Sequence, residues 1–272
     1  MILHDESWQS RHLFDVRIDA LSTADVLRAV DEAILTRKRL LIGVVNAAKL
    51  VKMKADRTLR RAVLGADLIL ADGMSIVWAC KLLRRPLPER VAGIDLMTRM
   101  LERANERGYR VFCLGATQEV LDEVSRQIRE EYPNAILAGA RNGYYSEAEE
   151  ASVAEQIASA TPDILLVAMT SPKKEMFLAR WTPIMKVPVL HGVGGSFDVM
   201  AGKVKRAPEA WQRCGMEWLY RVLQEPGRMW RRYLTTNSLF MWMLGREAAK
   251  SASRARPLSN PKKSVKTRWG TP

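Results

Sequence analysis

Short, continuously apolar runs alternate along this chain with stretches whose apolar residues recur at helical spacing. Residues 40–46 (LLIGVVN), 67–71 (DLILA), 110–114, 135–138, 163–168 (DILLVA) and 187–192 (VPVLHG) read as strands. Between them the spacing predicts helices over a stretch carrying Lys49, Lys52 and Lys54, and over 74–83, 93–107 (closed by Gly108) and 118–131. Ser146 with Glu149 forms a capping-box pattern that opens another helix. Strands apolar on both faces, each followed by a helix, predict an α/β fold with a mostly parallel sheet covered on both sides. Ligands in such sheets sit beyond the carboxyl ends of the strands. The positions to inspect are therefore Asn46, Asp72-Gly73, Gly115, Thr170-Ser171 and Gly194-Gly195.

Beyond residue 202 the pattern changes. Residues 209–225 and 227–250 read as two helices broken at Pro226-Gly227. They carry Trp211, Trp218, Trp230 and Trp242, interleaved with Arg213, Arg221, Arg228, Arg231 and Arg232. Residues 251–272 are basic, polar and rich in Pro and Ser, a composition expected to stay disordered. Charge follows the same division. Residues 1–202 hold 27 Lys/Arg against 26 Asp/Glu, whereas residues 203–272 hold 16 against 4, so nearly all of the net +13 lies in the second part. The expected organisation is an α/β core over 1–202, a basic Trp/Arg-rich helical appendage over 203–250 and a tail over 251–272.

That asymmetry points to an anionic partner: nucleic acid, anionic lipid or a phosphorylated substrate. Tryptophan favours the bilayer interface and arginine pairs with phosphate, so the appendage reads as lying in the headgroup plane of a membrane. A helical pair packed on the core, or stacking on nucleic acid, fits the same residues. No run of about 18 apolar residues and no leader-type segment occur, so a cytosolic chain with peripheral membrane contact is expected. Cys80, Cys113 and Cys214 have no metal or disulfide spacing, and Cys113 and Cys214 read as core thiols.

The strand-end residues each admit two readings. Asp72, between a strand and Gly73, can act as a general base or cap the next helix. The Gly192-Val193-Gly194-Gly195 loop can offer backbone N–H groups to a diphosphate or serve as a plain turn. Ser171 can cap a helix with Pro172 in its first position. Lys173 and Lys174 would then lie at the positive helix end, a placement that suits a bound anion, or simply be solvated. His191 reads as a satisfied strand-end histidine. The GxGxxG turn of a dinucleotide oxidoreductase is absent from both glycine loops.

Seven segments, at 71–79 (ADGMSIVWA), 90–97 (RVAGIDLM), 112–120 (FCLGATQEV), 142–150 (NGYYSEAEE), 162–175 (PDILLVAMTSPKKE), 192–208 (GVGGSFDVMAGKVKRAP) and 217–234 (EWLYRVLQEPGRMWRRYL), resemble the WecG/TagA/CpsF glycosyltransferases (glycosyltransferase family 26) in family order. The resemblance implies a compact Rossmann-like core with a C-terminal helical appendage, and an inverting transferase without metal or cofactor. A UDP-sugar would be the donor and a polyprenyl-diphosphate-linked sugar the acceptor, in cell-surface or exopolysaccharide synthesis at the inner face of the membrane. It puts Asp72 in the place of the base, Asn46 and Arg90 among substrate-binding residues, and Arg221, Arg228 and Arg231 on the lipid diphosphate. Lys174, Gly192, Gly194 and Gly195 complete the expected substrate site. An N-acetylmannosamine (or uronate) transferase of teichoic-acid or enterobacterial-antigen type is the alternative, and a non-enzymatic membrane- or nucleic-acid-binding module the remote one. Nucleic acid is not an expected partner of a transferase, and self-association is left open. Three positions depart from the family pattern: Val44 replaces a common Thr, Thr170 a Gly, and Lys174 a Gln.

Overall fold

In the computed structural model the described residues are 8–224 and 226–254. The side chains of Arg221, Arg228, Met229, Arg232 and residues 251–254 lie outside that description, as does most of the expected tail.

The core is a six-stranded, wholly parallel sheet of β3 (Leu40–Val45), β4 (Leu68–Ala71), β5 (Arg110–Gly115), β6 (Ile136–Arg141), β7 (Ile164–Ala168) and β8 (Val189–Gly192), ordered β4-β3-β8-β7-β5-β6. Side chains alternate across it. Leu40, Ile42, Val44, Leu68, Leu70, Cys113 and Leu166 pack under α1 (Thr23–Thr36), α5 (Gly93–Arg107) and α6 (Gln118–Glu131). Leu41, Val45, Ile69, Ala71, Phe112, Leu165 and Leu190 pack under α2 (Ala47–Ala55), α3 (Arg57–Leu64), α7 (Glu150–Ser159) and α8 (Lys173–Met185). Both faces are buried because right-handed crossovers leaving β3 and β5 in opposite directions put helices on opposite sides.

The pattern of apolar runs did not mark the N-terminal hairpin, β1 (Ser10–Leu13) with β2 (Val16–Asp19), nor did it mark α1. The hairpin turns on Phe14 and Asp15, both at positive φ, as a two-residue primed turn requires. It covers the β4 edge, where Asp19 accepts the Ile69 N–H at 2.7 Å.

Several expected boundaries hold closely. Helix α5 ends at Gly108 in the left-handed conformation, the Ser146/Glu149 capping box is formed, opening a 3-10 turn that leads into α7, and the strand read over 40–46 stops one residue earlier, at Val45, leaving Asn46 as the cap of α2. Others differ. Helix α8 begins at Lys173, with Pro172 rather than Ser171 as its cap residue, and the Ser171 Oγ is buried with no hydrogen-bond partner among the described residues. Cys113 is buried in β5, but Cys214 is exposed and is no core thiol.

Downstream, α4 (Met74–Leu82) and α9 (Ser196–Met200) belong to the core. The expected 209–225 helix is two pieces, α10 (Glu209–Arg213) and α11 (Glu217–Gln224), broken at Gly215. Gly215 takes φ +64°, and a Cβ there would sit 2.5 Å from Trp78 and 2.9 Å from Met74 of α4, so the chain turns where it presses on the core. Helix α12 (Pro226–Arg254) then crosses back, burying Phe240, Met243 and Leu244 and stacking Phe240 edge-on against Phe14. Trp230, Leu234, Met241 and Trp242 stay exposed along it. No helix among the described residues is long and apolar enough to cross a membrane.

Candidate functional site

Parallel strands end together at their carboxyl edge, and the polar residues picked out by sequence converge there. The β3/β4 register pairs Val45 with Ala71, so Asn46 and Asp72, the next residues, are neighbours. Asp72 does not cap α4: the cap residue is Gly73, with no side-chain bond. Instead its Oδ1 accepts the Gly93 N–H at 2.8 Å, the first amide of α5. The amino-terminal end of a 15-residue helix thus donates to one oxygen of the Asp72 carboxylate and fixes its orientation. Asn46 caps α2 by accepting the Lys49 N–H through Oδ1 at 3.0 Å, which fixes its amide and turns Nδ2 toward Asp72 Oδ2 at 3.5 Å. One oxygen of Asp72 is anchored and the other faces a weak donor.

Gly93 is the floor of this corner. A Cβ there would meet Val44, Asp72 and His191 at 3.8–3.9 Å. His191, wholly buried on β8, has Nε2 at 3.3 Å from the Gly93 carbonyl and Nδ1 at 3.4 Å from the Ile42 carbonyl. A neutral ring donates to only one of them. Burial lowers its pKa from 6.5 to about 4, against the pull of both carbonyls. An unfolded histidine takes up its proton near 6.5 and the native ring only near 4. Between those values the unfolded chain binds more protons, so this contribution to stability is full above pH 6.5 and is lost as pH falls toward 4. Its full size is roughly 3 kcal/mol. The urea midpoint of the wild type should therefore drop between pH 7 and pH 4.5 more than that of His191→Gln; equal drops would remove His191 from the account of acid sensitivity.

Neither Lys173 nor Lys174 is a simple solvated lysine. Lys173 Nζ donates to the Gly143 carbonyl at 3.1 Å and lies 4.3 Å from the centre of the Tyr145 ring, tying α8 to the Asn142-Gly143 turn. Lys174 is buried, donates to the Gly192 carbonyl at 3.3 Å and lies 4.0 Å from Glu175. Burial first, then Lys49, lowers its pKa to about 8, while Glu175 and Asp72 act the other way. Glu175 pairs with Lys49 at 2.8 Å.

The 192–195 loop offers less backbone than expected. The Val193 and Gly194 amides are both directed at the Val167 carbonyl, and the Ser196 amide at Val193. Its glycines answer another need. A Cβ on Gly192 would lie 3.2 Å from Lys174 Cδ, and one on Gly194, at φ +59°, 3.4 Å from its Nζ. The bare loop makes room for the lysine; Gly195 is exposed at the start of α9.

Arg90 lies on the rim, paired with Glu217 of α11 at 2.8 Å and with Asp95 at 3.5 Å. Arg206 bonds Asp95 at 2.7 Å and is near enough to Asp72 to feel its charge. Sequence reasoning missed Lys49, Glu175, Asp95, Arg206 and Glu217; the Lys49–Glu175, Arg206–Asp95 and Arg90–Glu217 pairs join residues far apart in sequence, which no local pattern signals. Arg231 is exposed on α12, its guanidinium 5.3 Å from the centre of the Trp230 ring. The Arg221 and Arg228 side chains lie outside the described residues. Among the described residues no group of three or more His, Cys, Asp or Glu is placed to hold a metal ion.

Against known proteins, residues 11–254 match the model of the Glycosyl transferase WecG/TagA/CpsF family. A curated relative from Bacillus spizizenii, an N-acetylglucosaminyldiphosphoundecaprenol N-acetyl-beta-D-mannosaminyltransferase, is 40% identical over 184 residues, covering 68% of this chain and 70% of the relative.

Proposed function

Because the chain belongs to the WecG/TagA/CpsF glycosyltransferase family, we propose that it moves a sugar from a UDP-sugar to a polyprenyl-diphosphate-linked sugar acceptor, inverting the anomeric carbon. The observation that carries this reading is the Asp72 carboxylate. One oxygen is pinned to the α5 amino terminus and the other is turned to the open carboxyl edge beside Asn46. The acceptor hydroxyl gives its proton to Asp72 Oδ2 as its oxygen attacks the anomeric carbon. The bond from that carbon to the diphosphate oxygen breaks, and UDP leaves with the electron pair. Asn46, Lys174 and the 192–195 loop bind donor groups, and Arg90 exchanges Glu217 for substrate.

The appendage supplies the acceptor's phosphate contacts in this reading. Arg221, Arg228 and Arg231 lie on α11 and α12, and we assign them to the lipid diphosphate. The exposed Trp230, Leu234 and Trp242 suit a headgroup layer on the inner face of the membrane. The charge that develops on UDP is taken by lysine and arginine, so turnover is expected to be the same in EDTA.

The name of the relative from Bacillus spizizenii gives its transferred group as N-acetylmannosaminyl and its acceptor as N-acetylglucosaminyldiphosphoundecaprenol. Val44 and Lys174 depart from the family's common Thr and Gln, removing a hydroxyl and adding a cation at this corner, so the relative's donor sugar is not carried over to this chain. The test is UDP release by the full chain with a short-chain polyprenyl-diphosphate sugar and a panel of UDP-glucose, UDP-glucuronate, UDP-N-acetylmannosamine and its uronate. Acceptor-dependent release with one donor is expected. A folded enzyme that releases UDP with none of them, on several lipid-linked sugars, would sink the reading.

A further inference from the structure

The Lys174 ammonium is kept charged in a place that opposes charge. It is 7% exposed, in the first turn of α8, where the helix dipole is positive, with Lys49 as a neighbour. Glu175, its nearest counter-ion at 4.0 Å, is already bonded to Lys49 at 2.8 Å. Its hydrogen bond to the Gly192 carbonyl is long at 3.3 Å and uses one of three N–H groups. The surrounding chain is bare: Gly192 and Gly194 leave the space its side chain occupies, and the Ser171 Oγ on the same turn is buried and unpartnered among the described residues. A neutral side chain would fill this space without any of the electrostatic cost. A buried cation held so poorly by its own protein is arranged for an anion from outside.

We propose that Lys174 is a specificity-determining cation of the donor site, whose ammonium receives an anionic oxygen of the donor. That oxygen belongs either to the diphosphate or to the carboxylate of a uronyl sugar. The proposal rests on the UDP-sugar reading above. It implies that donor affinity falls as pH rises through about 8, where the ammonium discharges. The other titratable groups facing it are Lys49 from α2, Glu175 from α8, Asp72 at the end of β4 and His191 from β8.

The experiment is calorimetric titration of the full chain and of Lys174→Gln with UDP, UDP-glucose and UDP-glucuronate at pH 7 and pH 9, with Tm measured alongside. A diphosphate contact predicts that Lys174→Gln weakens UDP about tenfold or more and flattens its pH dependence. A carboxylate contact predicts unchanged UDP affinity but loss of the wild-type preference for UDP-glucuronate over UDP-glucose. In both cases Tm rises by a few degrees, because a strained cation has gone; a lysine that merely braced the Gly192 carbonyl would lower Tm on removal. Unchanged affinity for all three ligands, or weakened binding with a lowered Tm, overturns the proposal. A wild type that binds none of the three overturns the donor reading and the proposal with it.

Discussion

Asp72→Asn is expected to reduce turnover by about 10²–10⁴-fold, the usual worth of a positioned general base, while leaving UDP affinity within about threefold of the wild type. Asparagine keeps the size of the side chain, and its Oδ1 can still accept the Gly93 amide that Asp72 Oδ1 now takes at 2.8 Å. The corner should therefore keep its shape, and Tm should change little. What is lost is the second oxygen as a proton acceptor, the one facing Asn46 Nδ2 at 3.5 Å. The effect belongs in kcat, because the proton moves only in the transition state. An Asp72→Asn enzyme with wild-type kcat and an intact fold would remove Asp72 from the role of base. A matched loss of UDP binding would make it a donor ligand instead.

Gly115→Ala should cost about 3–5 kcal/mol of stability, the scale of the severest single substitutions and a large part of what a domain has. Gly115 ends β5 at φ +126°, a conformation essentially confined to glycine. It pairs with Ala168 of β7, and an added Cβ would stand 2.3 Å from the Ala168 carbonyl oxygen and 2.5 Å from its carbon. Those atoms are backbone in a central strand of the sheet and have no rotamer to escape into. The Ala116 amide also bonds the same Ala168 carbonyl at 3.0 Å, so relief would break the strand end. Urea unfolding measures the loss. Gly143→Ala is the graded comparison: its Cβ would approach the Gly115 Cα at 3.1 Å from a surface turn, and it should cost less. A loss below about 1 kcal/mol for Gly115→Ala would mean that β5 and β7 do not meet as described.

Most of the alternation of strand and helix was legible because each parallel strand is apolar on both faces, a signal independent of its partners. Gly93–Arg107 and Gln118–Glu131 emerge with the same bounds as predicted, since periodicity and end residues agree there. The N-terminal hairpin was missed because its four-residue strands (SRHL and VRID) are part polar and turn on Phe14-Asp15 without glycine or proline. The 209–225 helix was drawn too long because the contact of Gly215 with Trp78, 137 residues away in sequence, is invisible locally.

The candidate site divides the same way. Residue type and order were enough to show that polar residues stand at strand ends, that charge collects beyond residue 202, and, through seven segments in family order, which family the chain resembles. Packing in three dimensions sets what those residues do to one another. It took Asp72 from the helix that follows it and gave it to α5. It made Asn46 the cap, buried Lys174 under a loop whose glycines make room for it, and paired Arg90 with Glu217. The reason is physical. Burial, hydrogen bonding and charge depend on what lies within a few ångströms, and in a parallel sheet adjacent strand ends come from distant parts of the chain.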